Sequence, residues 1–522
     1  MKKEPKEPSH TAPTTDPEDS AAGGETVSAA ETESPAETAS PIEIELPDSA
    51  ATTEPGNLAT VKDLEGIFNW PEHALKKLEE THGREILYTM AKRMACDTNS
   101  TAFSGIDAPG TATMMLRDAL KNHTGEHVEC GAHCWAIDVN ADAQQELRVH
   151  PHAAEHIFTD IRDFWDPDVK RVLETMKKNG EQLSVRKLAT MVRSRKSVKC
   201  SAWCQLHGRE CSVVRTNSHT AGTPCVGFST LGKLEKDEDA SIECTMAWCG
   251  LVLLLLFPLV LHENLTGFSI DILNLVFDHY YSIDEVVLTP EMFGHPVRRK
   301  RAFRLMMQTE AVVKVLHPLN IIPSMFKRFC KVDFNVFLCA TEEELEEELE
   351  WACNRKSSRA ALGRINPDDD ENRFRNSLTE WDWNNVVAYS TKYPNKVYQL
   401  NQYAATGHQI VSGEKELQTV LKTNHLLFND VAGRWFLPKE VLVAQGFPVL
   451  GLGLRLPLAS SYQVARRVPR SRAHMFERAG NSMNVACVGN IIVYKYAFVE
   501  QAWDASLAFV GQKECNLKRK LG

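Results

Sequence analysis

One long apolar run constrains the fold of this chain more than any other feature. Between residues 245 and 261 nearly every residue is apolar, and Pro258 interrupts the run near its end. A membrane-spanning helix needs roughly 20 uninterrupted apolar residues, so this run is short for one. It predicts a buried helix followed by an inner strand, Leu259-Val260-Leu261, in a mostly parallel sheet. The expected fold class is therefore α/β, with no membrane partner.

Three short apolar segments upstream predict further strands of that sheet, at residues 102–106, 134–138 and 156–160. Open α/β sheets bind ligands at the carboxyl ends of their strands, where Gly105 would let a ligand approach the backbone closely. Asp138 is placed to accept from ribose hydroxyls, and Asp160 from an exocyclic amine. A single aspartate at a strand end is more often a helix cap or a turn residue. Three such segments in series favour a nucleoside cofactor.

The loop at residues 222–229 is the strongest candidate for a catalytic segment. Cys225 follows Pro224 between two glycines, a setting that holds the sulfur rigidly at a turn. Glu263 follows the predicted inner strand and is suited to donate a proton. The basic cluster at residues 298–301 is suited to bind a phosphate or a base edge. Together these features predict an enzyme with a cysteine nucleophile.

The amino-terminal segment differs in composition from the rest of the chain. Residues 1–61 contain no aromatic residue, and their three basic and thirteen acidic side chains account for the whole formal net charge of −10. Such a segment cannot bury enough apolar surface to order itself, so we expect a disordered acidic tail with a protein as its candidate partner. The tail does not exclude nucleic acid as a ligand, because local basic clusters decide phosphate binding.

The 14 cysteines of the 522-residue chain are scattered, and because no apolar stretch follows the first residues we expect no secretory leader. We therefore expect reduced thiols, in the cytoplasm or the nucleus. One group has the residue types of a tetrahedral zinc site, and it consists of Cys200, Cys204, His207 and Cys211. Its spacing is irregular for a common zinc module, so an insertion whose cysteines merely pack is the alternative.

An ordered series of segments resembles the motifs of the C5-cytosine DNA methyltransferase family. The matching residues are, in chain order, Phe103-Ser104-Gly105-Ile106, Asp138, Asp160, Pro224-Cys225, Glu263-Asn264, Arg299 with Arg301, residues 434–440 with 445–448, and residues 480–485. The chain departs from the family at Thr101, Val226 and Val297, which stand where an acid and two glutamines are usual. The resemblance is therefore to a divergent branch, closest to protist forms.

The resemblance implies methylation of cytosine in double-stranded DNA, with S-adenosylmethionine as the methyl donor. The Cys225 thiolate would add to C6 of a base swung out of the duplex, while Glu263 donates a proton to N3. Asn264 would hold either the strand end or the exocyclic amine, and Arg299 and Arg301 complete the catalytic set. The residues implied for the cofactor are Phe103, Ser104, Gly105, Ile106, Asp138, Asp160, Pro224, Asn481 and Ser482. There are two alternatives. The protein methylates a tRNA loop, or it is a catalytically silent homologue that only binds nucleic acid or cofactor.

The same comparison implies a Rossmann-like S-adenosylmethionine-dependent methyltransferase fold with a smaller inserted target recognition lobe. The expected organisation is a tail at 1–61, a catalytic domain at 62–301, the lobe at 302–433, a return to the catalytic domain at 434–500, and a carboxyl-terminal tail at 501–522. In the lobe, an acidic helical run at 342–350 is expected to be solvated or to face a partner. Several aromatic residues there are better explained as core than as base-stacking groups. A nuclear location is expected, with the cytoplasm as the alternative.

Overall fold

The computed structural model describes residues 60–181, 183–194, 196–224, 241–356, 373–405, 409–421, 426–449 and 471–502. Three expectations lie outside these ranges: nearly all of the acidic tail, the nucleophile Cys225 with Val226, and the last residues of the chain.

A large mixed sheet forms the centre of the fold. The strands of the described residues are β1 Thr60–Val61, β2 Thr98–Ala102, β3 Ala132–Ile137, β4 His156–Phe158, β5 Ser201–Cys204, β6 Arg209–Ser212, β7 Ser218–Gly222, β8 Leu259–Asn264, β9 Tyr281–Leu288, β10 Arg301–Gln308, β11 Val312–Val315, β12 Phe329–Cys330, β13 Val397–Gln399, β14 Leu427–Asn429, β15 Arg434–Trp435 and β16 Val499–Gln501. Within the described chain, nine of these make the central sheet, in the order β6-β5-β4-β3-β2-β7-β8-β10-β9.

The sheet is parallel in its middle and antiparallel at both edges. Strands β4, β3, β2, β7 and β8 run parallel, whereas β5 and β6 at one edge and β10 and β9 at the other are antiparallel. The strand order reverses at β2, because β3 lies on one side of it and β7 on the other. This Rossmann-like order confirms the α/β prediction and puts the ligand crevice of such a sheet at the ends of β2 and β7.

Helices cover both faces of the central sheet. In the described residues they are α1 Leu64–Phe68, α2 Trp70–His82, α3 Glu85–Cys96, α4 Ala108–Thr124, α5 Ala141–Val149, α6 Pro167–Lys178, α7 Val185–Arg193, α8 Ile242–Leu255, α9 Ile270–Phe277, α10 Ile322–Met325, α11 Glu342–Lys356, α12 Arg373–Asn376, α13 Glu380–Lys392, α14 Pro438–Ala444, α15 Ser471–Asn481 and α16 Val485–Phe498, with 3-10 turns at Ile161–Phe164, Pro290–Met292, Leu319–Ile321 and Phe334–Phe337.

The strands alternate their side chains between two apolar cores. In β8, Leu259 and Leu261 join the core that contains α2, α3, α4 and α16. Val260 points the other way, into the core that contains α7, α8 and α9. Because successive residues of a strand face opposite sides of a sheet, the continuous apolar stretch Leu259-Val260-Leu261 is buried on both faces. The apolar run therefore forms α8 and β8, as predicted, and no helix among the described residues is long and apolar enough to cross a membrane.

The strand predicted at residues 102–106 is shifted in the structure. Strand β2 ends at Ala102, and the next residues form a turn that leads into α4. Residues 98–101 are polar (Thr98-Asn99-Ser100-Thr101), so hydrophobicity did not identify them as a strand. Ser100 and Thr101 are nonetheless buried and satisfied by hydrogen bonds to neighbouring side chains.

A small second core lies in the region expected to be an inserted lobe. Strands β13, β14 and β15 form an antiparallel sheet, and Tyr389 and Tyr398 stack in its core with ring centroids 5.0 Å apart. Both tyrosines are fully buried, which agrees with a core role. The expected boundary at residue 302 falls inside β10, which pairs with β8 and β9 in the central sheet.

The acidic helix α11 is not simply a solvated helix. Glu344 and Glu348 are buried, and they lie on one face because residues four apart do so in a helix. The Lys439 ammonium donates to Glu344 Oε2 at 2.8 Å, and the Trp435 indole donates to Glu348 Oε1 at 2.7 Å. The expectation of a solvated or partner-facing run is therefore wrong for this face, because the helix docks onto Trp435 of β15 and Lys439 of α14.

Candidate active site

The turn that follows β2 has an unusual backbone. Phe103, Gly105 and Asp107 all have positive φ angles, of 55°, 54° and 56°. Glycine adopts this conformation freely, but for the other two residues it is strained, and such strain is concentrated at functional sites. Asp107 is buried and caps α4 by accepting from the Gly110 amide at 3.0 Å. The amino end of α4 is therefore anchored immediately beside the turn.

Asp138 supports this turn from the neighbouring strand. Its Oδ2 accepts from the Gly105 amide at 2.7 Å, and its Oδ1 accepts from the Asn140 amide at 2.9 Å. Burial raises the pKa of Asp138, and the two backbone donors oppose that shift. Each carboxylate oxygen has a second lone pair, so Asp138 retains the capacity to accept from a ligand as well.

A cleft open to solvent lies at the ends of β2, β7 and β8. The predicted site residues that line it are Phe103, Ser104, Gly105, Glu263, Asn481 and Ser482. Three segments that are far apart in sequence therefore meet at the point where the strand order reverses. Ile106, also expected at the cofactor, is instead buried in the core beneath the turn.

Glu263 lies at the wall of this cleft, near the end of β8. It pairs in register with Gly222 of β7 and with Phe303 of β10. Its Oε1 is 3.3 Å from the Arg301 Nε, and both side chains are largely buried. The structure therefore couples the predicted acid to one of the two predicted arginines.

Asn264, the next residue, holds the start of the loop that contains Cys225. Its amide nitrogen donates to the Thr223 carbonyl at 3.0 Å and to the Thr223 hydroxyl at 2.9 Å. The same hydroxyl lies 2.8 Å from His262 Nε2. Two roles are expected for Asn264, to hold the strand end or to hold the exocyclic amine. The contact in the structure corresponds to the first, because Thr223 directly follows β7.

Arg299 donates hydrogen bonds to the backbone of the last motif, residues 480–485. Its guanidinium is buried and donates to the carbonyls of Gly480 and Ser482, at 3.0 and 2.7 Å, and of Val420, at 3.4 Å. These contacts make Arg299 a support for one wall of the cleft.

Asp138, Asp160 and Pro224 do not line the cleft described above. Asp160 caps the turn at Ile161–Phe164 and pairs with the Arg162 guanidinium, 2.6 Å from Oδ2 to Nη2. Burial raises the pKa of Asp160, but the hydrogen bonds and charge of Arg162 outweigh it and hold the pKa below its ordinary value. Pro224 directly follows Thr223 and is the last described residue before Cys225.

Two supporting groups were missed by the sequence analysis. Asp107 had a local signal, since Asp-Ala-Pro-Gly is a helix cap followed by proline. Arg478 had no local sequence signal, because its partner is distant in the chain. Its buried guanidinium donates to Glu146 Oε1 at 2.9 Å, and the two residues are 332 positions apart. That ion pair ties the last motif to α5, the helix that follows Asp138.

The predicted zinc group is only partly assembled. Cys204, His207 and Cys211 come together, but Cys200 is exposed and stays outside the group. His156 of β4 takes the fourth position.

Comparisons with known proteins are limited to distant structural likeness. No family model and no curated protein matches the chain. An E. coli structure described as a DNA modification methyltransferase encoded within a prophage is 14% identical, with a TM-score of 0.40, over 76% of this chain and 98% of that one. Schizosaccharomyces pombe Dnmt2 methyltransferase is 14% identical with a TM-score of 0.37, over 76% and 97% of the two chains. Entamoeba histolytica methyltransferase EhMeth is 11% identical with a TM-score of 0.34, over 77% and 98%.

Proposed function

We propose that this protein is an S-adenosylmethionine-dependent methyltransferase that methylates C5 of cytosine in DNA. The observation that carries the proposal is the cleft at the reversal of the strand order. It joins the turn after β2, Glu263 and the Asn481-Ser482 segment, three of the segments whose residues resemble the family's motifs.

The residues at the cleft fit a nucleoside cofactor. Phe103, Ser104 and Gly105 present the turn and the amino end of α4, Asp138 buttresses that turn, and Asn481 and Ser482 form the opposite wall. Bound there, S-adenosylmethionine would supply an electrophilic methyl group. Asp160 would serve the adenine amine only after loosening its pair with Arg162.

Cys225 and Glu263 are the residues proposed to react with the base. The Cys225 thiolate would add to C6 of cytosine, and Glu263, held beside Arg301, would donate a proton to N3 so that C5 becomes nucleophilic. After methylation, loss of the C5 proton to water, elimination of the sulfur as thiolate and return of the N3 proton to Glu263 would regenerate the enzyme. Asn264 and Arg299 act in this scheme as positioning residues, through Thr223 and the last motif.

Double-stranded DNA is the proposed substrate, with the small core around β13–β15 as the proposed target recognition lobe and the nucleus as the proposed location. Reaching C6 requires the base to leave the stack, which costs a few kcal/mol. A tRNA loop avoids that cost and is the alternative substrate.

The test is methyl transfer from radiolabelled S-adenosylmethionine to duplex DNA, hemimethylated DNA and tRNA in parallel. We expect label in cytosine of duplex DNA and a covalent adduct with a 5-fluorocytosine oligonucleotide, both abolished in Cys225→Ala. Label in tRNA alone would replace DNA with RNA as the substrate. Binding of S-adenosylmethionine without transfer to any of the three would indicate a silent homologue, and absence of that binding would overturn the proposal.

A further inference from the structure

A hairpin at one edge of the central sheet gathers four nitrogen and sulfur ligands. Strands β5 and β6 pair so that Cys204 lies opposite Arg209 and Ala202 lies opposite Cys211. Alternate residues of a strand share a face, so Cys204 and Cys211 lie on the same face, diagonally across the hairpin. His207 lies between them in the turn that joins the two strands.

The fourth ligand comes from the neighbouring strand. His156 begins β4, and β4 pairs antiparallel with β5 through Phe158 and Cys204. The Gln205 amide donates to the Ile157 carbonyl at 2.7 Å, which keeps the hairpin turn beside His156.

The distances within the group fit a tetrahedral metal. Cys204 Sγ lies 3.4 Å from His207 Nδ1 and 3.8 Å from His156 Nδ1, and Cys211 Sγ lies 3.6 Å from His207 Nδ1. All four ligand atoms are within 4.8 Å of one another. A tetrahedron with zinc bonds of about 2.3 Å to sulfur and about 2.0–2.1 Å to nitrogen has sulfur-to-nitrogen edges of about 3.5–3.6 Å.

Sulfur and nitrogen atoms converge in this group. His207 Nδ1 lies within contact of both thiols, and Cys204 Sγ also contacts His156 Nδ1. A central divalent cation would bind both sulfurs as thiolates and both imidazoles as neutral rings, and the two thiolates would neutralise its charge.

We propose that His156, Cys204, His207 and Cys211 bind one structural Zn²⁺ ion. All four positions of the tetrahedron come from the protein, which is the closed arrangement of structural rather than catalytic zinc. The ion would cross-link the β5–β6 hairpin to β4, the strand that leads to Asp160. This inference is independent of the proposed function, because its ligands lie outside the cleft.

Cys200 provides a matched control for the metal test. It is exposed, precedes β5, and lies outside the group. Purified full-length protein should contain about one zinc per chain by elemental mass spectrometry. We expect Cys200→Ser to keep that zinc, and we expect Cys204→Ser and His156→Phe to lose most of it. The phenylalanine preserves the ring that stacks on Phe158.

A second measurement on the wild type does not depend on the folding of any variant. Replacement of the metal by Co²⁺ should produce the intense visible bands of tetrahedral cobalt with thiolate ligands. Alkylation mapped by mass spectrometry should spare Cys204 and Cys211 until a chelator is added, while Cys96 and Cys200, both exposed, react throughout. Wild-type protein without metal, retention of zinc by Cys204→Ser, or a disulfide between Cys204 and Cys211 would each overturn the proposal.

Discussion

The side-chain amide of Asn264 makes both of its donor contacts to one residue, Thr223. Thr223 stands two positions before Cys225, so these contacts determine how the chain enters the proposed nucleophile loop. Replacing the amide by a carboxylate in Asn264→Asp removes both N–H donors and sets a carboxylate oxygen against the Thr223 carbonyl, while the other oxygen can still accept from the Leu265 amide. We expect adduct formation with 5-fluorocytosine DNA to slow by about 10- to 100-fold, since misplacing a reacting group by about 1 Å has an effect of that order.

The rate of adduct formation is compared with that of Asn274→Asp, which makes the same chemical change at an exposed position of α9. Binding of S-adenosylmethionine, measured by calorimetry, should be unchanged in both variants. An Asn264→Asp protein that forms the adduct at the wild-type rate would remove Asn264 from its positioning role.

Helix α16 is buried around most of its circumference and packs against α2, α3 and α4. Gly489 permits its approach to α2, because a Cβ added there would stand 2.1 Å from Cη2 of the buried Trp70. Alanine ordinarily stabilises a helix relative to glycine, by about 1 kcal/mol. Here the clash reverses the sign, and we expect Gly489→Ala to lower the free energy of unfolding by about 1–3 kcal/mol, the usual cost of overpacking.

Urea unfolding of a double-mutant cycle with Trp70→Phe isolates the clash. Phenylalanine lacks the outer ring of the indole, where the contacts lie, so Gly489→Ala should cost less in the Trp70→Phe background than in the wild type. Equal costs in the two backgrounds would show that α2 and α16 are not in close contact at this point.

The stability of the whole molecule depends on keeping several buried histidines neutral. In His219, Nε2 accepts from the Trp248 indole at 3.0 Å, so Nδ1 carries the proton and faces Ser100 Oγ at 2.9 Å. Burial, with a smaller effect from His133, lowers the pKa of His219 from 6.5 to about 3. Burial likewise lowers the pKa of His73 to about 4 and of His295 to about 3.

Below pH 6.5 the unfolded chain takes up a proton at His219 that the folded protein excludes. The free energy of unfolding is therefore highest above that pH. As the pH falls below it, each buried histidine with a lowered pKa reduces the free energy of unfolding by up to about 1.4 kcal/mol per pH unit. We expect His219→Gln to flatten the fall in melting temperature between pH 6.5 and about 4, since glutamine can still accept from Trp248. His279→Gln, at an exposed side chain, should leave the slope unchanged. A His219→Gln slope equal to that of the wild type would contradict this account.

Local patterns in the chain were enough to identify most of the elements that carry the site. An apolar run predicted α8 and β8, which the structure has at Ile242–Leu255 and Leu259–Asn264. This inference succeeded because a continuous apolar run, and the proline that interrupts it, lie in neighbouring residues of the chain. The same locality brought Cys204, His207 and Cys211 into one group, since all three belong to a single hairpin.

Tertiary structure alone decided which distant groups meet. Cys200 lies outside the His/Cys group because it stands four positions before Cys204, a separation of about 13 Å along an extended chain. His156 joins the group because β4 lies beside β5. Likewise Arg299 reaches Gly480 and Ser482, and Arg478 reaches Glu146. Such pairs depend on the order and register of the strands. The pattern of apolar residues predicts neither, because it shows which face of a strand is buried and not which strand lies next to it.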